Sequence, residues 1–338
     1  MKIAILFDGG WETWDARDVA SVMESVKEVQ VALRACGYEA ALVPVRAPAD
    51  FSWLSRIRRV DAVFNLCEGI AGVSRYEDFV VGALELAGVP YTGCGPWPVA
   101  IAHRKSAANT ILARAGIPIP RFLLASGHKQ PIDLTLPVIV KPAAEDASVG
   151  IDAGSVCTTK RALKKRLAEM TEQYEEVLVQ EYVAGREFNV GFIGDAALPL
   201  AELCFDNMPE GSWPILTYAA KWDTGSPEDL GSVPICPANI PAEAQKRIVA
   251  VARQAWEELC GGEGYGRVDL RVDATGQPFV LEVNPNPDIS DSAGLSRMAK
   301  VQGMEYHQLI ARIVDEALSR SSSRRAADAL VEGAVPVT

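Results

Sequence analysis

Short apolar runs alternate with stretches of helical period from the first residues of this chain. Residues 2–7 form an apolar run that ends at a Gly-Gly turn and predicts a strand. Residues 15–36 place Val19, Val22, Met23, Val26, Val29 and Leu33 at helical spacing and stop at Gly37, which predicts a helix. Strands are expected again near 40–45, 61–66 and 89–92, with a helix over 78–87, so residues 1–96 read as a βαβ domain. After the Gly/Pro-rich link TGCGPWP the pattern changes. A helix over 106–115 is followed by strands at 137–141 and 176–181 around a basic helix at 160–170, which defines a second domain, 97–184. A third, 185–319, holds strands at 186–194 and 198–204, an irregular segment from 206 to 240, a helix at 242–260, a hairpin and closing helices. From 320 to 338 the Ser/Arg/Ala-rich sequence lacks a clear apolar face and is expected to be a frayed, disordered tail. No internal repeat is visible.

The hairpin is the most informative segment. Val268, Leu270 and Val272, then Phe279, Val280, Leu281 and Val283, flank the turn sequence Asp273-Ala274-Thr275-Gly276. Side chains two apart share a strand face, so Glu282 and Asn284 point the same way, and Asp269 is expected roughly opposite on the partner strand. Three convergent oxygen ligands suit Mg²⁺, which takes one or two protein carboxylates and leaves sites for water and phosphate, so ATP is the expected guest. A solvated hairpin with polar tips is the plain alternative, weakened because Glu282 and Asn284 interrupt an otherwise apolar strand.

Composition narrows the function classes. The net charge of −11 argues against nucleic-acid or anionic-membrane partners, which are bound through clustered Lys and Arg. Seven scattered cysteines, none in Cys-x-x-Cys spacing, exclude a disulfide scaffold or zinc site. The first residues lack the longer apolar stretch and cleavage site of a secretory signal, and no run reaches the roughly 18 apolar residues of a membrane span. A cytoplasmic protein is expected. His103, His128 and His307 show no metal or triad spacing and receive no role.

A second half of a nucleotide site can be read from VIVKPAAEDASVGID, residues 138–152. An apolar strand delivers Lys141, Pro142 stops it, and small residues including Ser148 run to Gly150, so an ammonium group and backbone N–H groups can meet phosphate oxygens. A lone lysine beside such a loop is more often ordinary turn chemistry. In VLVQEYVAGREFNV, residues 177–190, a strand exits through Gln180, Glu181 and Val183 and turns at Gly185. Its backbone can pair with an adenine rim, and Glu187 beyond it can hold ribose hydroxyls. An ordinary hairpin is the alternative.

These segments stand in an order that resembles the D-alanine–D-alanine ligase branch of the ATP-grasp superfamily, over residues 2 to about 315. The likeness rests on FNLCEGIAGVSRYED with LELAGVPYTGCGP, the Lys-Pro loop, the Gln-Glu-Tyr-Val linker and the Asp…Glu-x-Asn hairpin. It implies an α/β and α+β protein with the ATP-grasp fold: an N-terminal Rossmann-like βαβ domain, a central lid domain and a C-terminal metal-binding domain. It also implies an ADP-forming carboxylate–amine ligase with ATP and two Mg²⁺ ions, acting through an acyl phosphate on small-molecule carboxylate and amine substrates, and a homodimer through the N-terminal domain. By position, Lys105 and Lys141 match phosphate-binding lysines, Gln180, Glu181 and Val183 the adenine rim, and Glu187 the ribose carboxylate. Lys221 in TYAAKW matches a lysine of the covering loop, and Arg267 the arginine that steadies the tetrahedral oxyanion. Asp269, Glu282 and Asn284 match the metal ligands.

Departures from the family pattern concern the substrates. The family's Gly-x-Ser-x-Glu is GGWETWD here, so Glu12 or Asp15 is the candidate for a substrate ammonium, and Trp11 and Trp14 suggest a bulkier first substrate. Asp146 and Ala147 replace a Gly-Ser pair, Trp222 replaces a tyrosine, and Glu68 replaces a histidine. Beyond the hairpin, Ala293 and Gly294 stand where a Ser-Leu pair grips the second carboxylate; Asp288 and Arg297 are the remaining substrate candidates, Arg297 as a charge-assisted donor. The expected product is therefore not D-alanyl-D-alanine. The alternatives are a true D-alanine–D-alanine ligase and a non-catalytic ATP-binding regulatory protein on the same fold.

Overall fold

The computed structural model describes the chain apart from residues 15, 128–129, 146–147 and 335–338, and apart from the side chains of 13, 16–18 and 325–334. In chain order the first region holds β1 (Lys2–Asp8), α1 (Ala16–Ala35), β2 (Glu39–Val45), α2 (Ser52–Ile57), β3 (Ala62–Leu66), α3 (Glu77–Ala87) and α4 (Pro96–Ala102). Next come α5 (Lys105–Arg114), β4 (Phe122–Ala125), β5 (Val138–Pro142), β6 (Val156–Cys157), α6 (Lys160–Gln173) and β7 (Val177–Glu181). Then follow β8 (Arg186–Ile193), β9 (Ala196–Ala197), β10 (Ala201–Cys204), α7 (Tyr218–Trp222), α8 (Pro227–Gly231) and β11 (Val233–Ile235). The chain closes with α9 (Ala242–Cys260), β12 (Tyr265–Val272), β13 (Pro278–Pro285), α10 (Gly294–Val301) and α11 (Tyr306–Ala334).

The first sheet is parallel, in the order β2-β1-β3. Its central strand is apolar from Ile3 to Phe7, and both of its faces are covered. Ile3, Ile5 and Phe7 pack with Val26, Val29 and Leu33 of α1 and with Leu309, Ile310 and Ile313 of α11, whereas Ala4 and Leu6 join the opposite core with Val80, Val81 and Leu84 of α3. The second sheet is antiparallel, β4-β7-β5-β6, and its inward Val138, Val140, Val177 and Val179 meet Leu163, Leu167 and Met170 of α6. Thr159 caps that helix by accepting the Ala162 N–H at 3.1 Å. The third sheet runs β11-β10-β8-β12-β13, with β9 paired to β8. Its back is closed by α9, whose Ile248, Ala252, Ala255, Trp256 and Leu259 form one buried stripe, with Trp256 stacked on Phe192 at 5.5 Å between ring centres.

Three expectations need correction. The strand near 89–92 is only an isolated bridge between Tyr91 and Val63. The irregular segment 206–240 contains α7, α8 and the edge strand β11. Residues 320–334 are helical rather than a frayed tail, because Arg320 is buried and donates to the carbonyls of Gly93 and Tyr91, both at 2.6 Å, while Arg324 pairs with Glu85 and Glu263. Arg320 and Arg324 thus anchor the start of this last part of α11. Among the described residues no helix is long and apolar enough to cross a membrane.

Candidate active site

The site forms on one polar face where β8, β12 and β13 lie side by side. On β12, Arg267, Asp269 and Arg271 alternate with the buried Val268 and Leu270, so the three charged side chains share a face. The register sets Asp269 opposite Glu282 on β13 and opposite Asn189 on β8, Arg267 opposite Asn284, and Arg271 opposite Glu187. The expected convergence of Asp269, Glu282 and Asn284 is therefore present, and a register shift after Asp269 keeps Glu282 on the shared face.

Hydrogen bonds hold these groups firmly. Arg267 grips Asp269 with both ends of its fork, Nε to Oδ1 at 2.6 Å and Nη2 to Oδ2 at 2.9 Å. Asn189 donates to Oδ1 at 2.7 Å and Asn284 Nδ2 to Oδ2 at 3.0 Å, so the Asn284 amide oxygen remains an acceptor. Burial alone lowers the Arg267 pKa, but Asp269 first, then Glu282 and Glu187, outweigh it and raise it. Glu282 accepts from the buried Lys105 at 2.5 Å, which ties the start of α5 to the hairpin.

Opposite this face lies the loop after β5. Lys105, Lys141, Glu145, Ser148, Lys221 and Glu282 line one pocket with Val149 and Ile151. Ser148 holds a left-handed backbone at φ 62°, and a side chain at Gly150 (φ 73°) would meet the Pro142 ring at 2.7 Å, so the loop's tight path depends on that glycine. Asp146 and Ala147 lie outside the described residues. The covering segment reaches the same pocket: Tyr218 donates its N–H to Ile151 O at 2.9 Å, Thr217 caps α7, and Lys221 follows on that helix. Lys221 is exposed as a whole, yet desolvation of its ammonium, and secondarily Arg267, lower its pKa against the opposing pull of Glu282 and Asp269.

At the linker, Gln180 is buried, and its Nε2 has no hydrogen-bond partner among the described residues. Glu181 turns its carboxylate outward to the Thr135 N–H and Arg121. The Val183 carbonyl accepts from Arg271 Nη1 at 3.1 Å, and Arg271 Nε donates to Glu187 at 2.9 Å. Burial pushes the Glu187 pKa up, partly countered by Arg271. Arg271 and Asn189 were absent from the sequence-based candidates; the two-residue period of β12 marks Arg271 as a neighbour of Asp269, whereas Asn189 reaches it only through the register of β8 on β12.

Among the described residues the substrate candidates come from separate segments, although Glu68 and Asp288 both act on the buried Tyr265. Glu12 is exposed in the single turn Trp11–Thr13, Asp15 lies outside the described residues, and Glu68 is exposed. Trp11 is half-buried, donating to Asp8 O at 2.7 Å and lying 6.2 Å from Phe7. Asp8, a buried carboxylate missed in the sequence, instead organises this corner by accepting N–H groups of Gly10, Ala71 and Gly72. Trp222 is exposed beside Tyr218. Asp288 is taken by Ser290, and Arg297 donates to Ser292 O at 3.1 Å on its own loop, not toward the hairpin. His103 does have a partner: its Nε2 lies 3.0 Å from Glu77, which also accepts from Asn286 just past the hairpin.

The donor set fits a magnesium–nucleotide guest. Glu282, paired across the hairpin with Asp269 and near Asn284, shares one pocket with three lysines, and at the linker the buried Gln180 amide has no hydrogen-bond partner among the described residues. Comparison with known proteins identifies the family. A family model described as "D-ala D-ala ligase C-terminus" matches residues 111–315. The chain is 32% identical over 306 residues to the uncharacterized protein y4sG of Sinorhizobium fredii, covering 86% of this chain and 87% of that protein. It is 32% identical over 320 residues to a D-alanine–D-alanine ligase of Dechloromonas aromatica, covering 93% and 97%. The crystal structure of a D-alanine–D-alanine ligase from Bacillus anthracis complexed with ATP shares the fold, with a TM-score of 0.74 at 21% identity over 96% of this chain and 99% of that one. The chain thus belongs to the D-alanine–D-alanine ligase family of ATP-grasp enzymes, a family of ADP-forming carbon–nitrogen ligases.

Proposed function

We propose that this protein is an ATP-dependent ligase that joins the carboxylate of an amino acid or a similar small molecule to an amine, and that D-alanyl-D-alanine is not its main product. The observation that carries the reading is the meeting of Lys105, Lys141 and Lys221, from three separate segments, with Glu282 in one pocket beside Asp269 and Arg267. Three ammonium groups held against a carboxylate-bearing hairpin suit a triphosphate better than any neutral ligand.

In this reading one substrate's carboxylate oxygen attacks the γ-phosphorus of ATP, the bond to the β-phosphate oxygen breaks, and an acyl phosphate and ADP result. The amine of the second substrate then attacks the acyl carbon, a proton leaves the nitrogen, and phosphate departs. Both steps concentrate negative charge, so fixed cations lower the barriers. Lys105, Lys141 and Lys221 hold the phosphates, and Ser148 lies beside them on the loop. Arg267, kept charged and oriented by Asp269, faces the developing oxyanion. Asp269, Glu282 and Asn284 would hold magnesium, two ions by family resemblance, which neutralises charge on phosphoryl oxygens when bound. Gln180, with the linker backbone at Glu181 and Val183, meets the base, and Glu187 the ribose.

What supports a different second substrate is that Ala293 supplies no side-chain cap to α10 and that Arg297 Nη2 donates to Ser292 O on its own loop. Glu12, Asp15, Glu68, Trp222 and Asp288 remain substrate candidates by position. Pairing through the N-terminal domain is the proposed oligomer. The test is incubation with Mg-ATP and pooled amino acids, with mass spectrometry for a condensation product and for ADP. D-Ala alone should release little phosphate; rapid D-Ala-dependent release would establish the true D-alanine–D-alanine ligase instead. Normal turnover after Lys141→Ala, Asp269→Ala and Glu282→Ala would reject the ligase reading.

A further inference from the structure

We propose that Arg271 is a specificity-determining residue for the nucleotide: it aims Glu187 at the vicinal hydroxyls of a ribose and fixes the covering segment over that end of the crevice. The proposal rests on the reading of this crevice as an ATP site.

Arg271 is 3% exposed, and every direction of its guanidinium has a partner. Nε donates to Glu187 Oε2, Nη1 to the linker carbonyl of Val183, and Nη2 to the carbonyl of Pro214 in the covering segment. Its plane lies over Tyr182, 4.9 Å from the ring centre, with Phe205 at 5.7 Å. Tyr182 in turn packs edge-on against Trp213, one residue before Pro214. One side chain on β12 therefore joins β8, the linker and the covering segment.

Arg271 engages Oε2 of Glu187, which leaves Oε1 as an acceptor. A buried carboxylate held this way matches a cis-diol, whose two hydroxyls both donate. A 2′-deoxyribose supplies one donor fewer and leaves buried acceptor capacity unmatched. With the Val183 carbonyl taken, base contacts fall to the Val183 N–H, to the Glu181 carbonyl and to Gln180 Nε2, which has no partner among the described residues. A merely structural ion pair would affect stability without altering any preference between nucleotides.

The experiment measures Mg-ATP, Mg-2′-dATP and Mg-tripolyphosphate affinities of the full chain by calorimetry. Wild type should prefer ATP over 2′-dATP by about tenfold or more. Arg271→Met should bring that ratio close to one while tripolyphosphate affinity stays within about twofold, and Arg271→Lys should restore part of the preference. A folded Arg271→Met that keeps the wild-type ratio overturns the proposal, as does a wild type without ribose preference. Should Arg271→Met not fold, Arg271→Lys decides: an undiminished ratio overturns the proposal, and a diminished one supports it. A wild type that binds tripolyphosphate and nucleotides equally poorly rejects the ATP site itself, a different failure from ATP binding without ribose preference.

Discussion

Replacing Lys105 by Met separates the structural from the functional share of one buried cation. The Lys105 ammonium lies 2.5 Å from Glu282 Oε1, with the lysine side chain 9% and the glutamate side chain 28% exposed. Methionine keeps most of the apolar stem, so packing at the start of α5 survives. Breaking a fully buried pair costs about 3–5 kcal/mol, whereas exposed pairs contribute about 0–1 kcal/mol. Glu282 retains access to water, so we expect a loss of about 1–2 kcal/mol in folding stability. Binding loses more: a hydrogen bond to a charged group contributes about 1.5–3 kcal/mol, which raises the dissociation constant for Mg-ATP about 10- to 150-fold. Calorimetric titration of Lys105→Met with Mg-ATP, beside its urea unfolding curve, measures both. An unchanged Mg-ATP affinity in a folded variant would refute the placement of phosphates beside Lys105.

Two further outcomes follow from the geometry. Because the Lys221 pKa is lowered, mainly by desolvation, its ammonium deprotonates below the ordinary lysine range near 10.4, so Mg-ATP affinity should fall as pH rises through that lowered value. The same shift makes the charged form a cost to folding at lower pH that is relieved as pH rises. Lys221→Arg should remove the alkaline fall in affinity, and a fall retained unchanged would assign it to another group. Arg320→Met removes donors to the Gly93 and Tyr91 carbonyls and leaves both buried acceptors short of a partner; we expect a loss of about 2–4 kcal/mol in urea unfolding, and a loss under 0.5 kcal/mol would return residues 320–334 to the status of a tail.

Much of the fold was legible because burial writes its period into the chain. The α9 stripe, the apolar β1 and the hairpin around Asp273–Gly276 are local patterns, and α9 occupies the residues expected of it, 242–260. That Glu282 and Asn284 share a face was also readable from strand alternation, whereas the pairing of Asp269 with Glu282 depends on the register shift after Asp269, which the turn does not fix. Short elements such as α7, α8 and β11 were not, because a few residues of helix or edge strand carry too little periodicity.

The sequence by itself determined the order of elements and the residue types that any phosphate and metal site must use. Only tertiary structure decided which of those residues meet. Lys105, Lys141 and Lys221 reach one pocket by way of three segments, and nothing in their spacing sets that distance. Arg271 shows the same limit: β12 alternation puts it beside Asp269, but its clamp on Glu187, Val183 and Pro214 depends on β8 pairing antiparallel in one register and on the covering segment folding back. The α11 extension follows suit, helical through Ala334 because Arg320 and Arg324 find partners more than 200 and about 60 residues away. Local free energy selects helix or strand residue by residue, whereas long-range contacts depend on how the assembled layers bring distant segments within the few ångströms over which hydrogen bonds act.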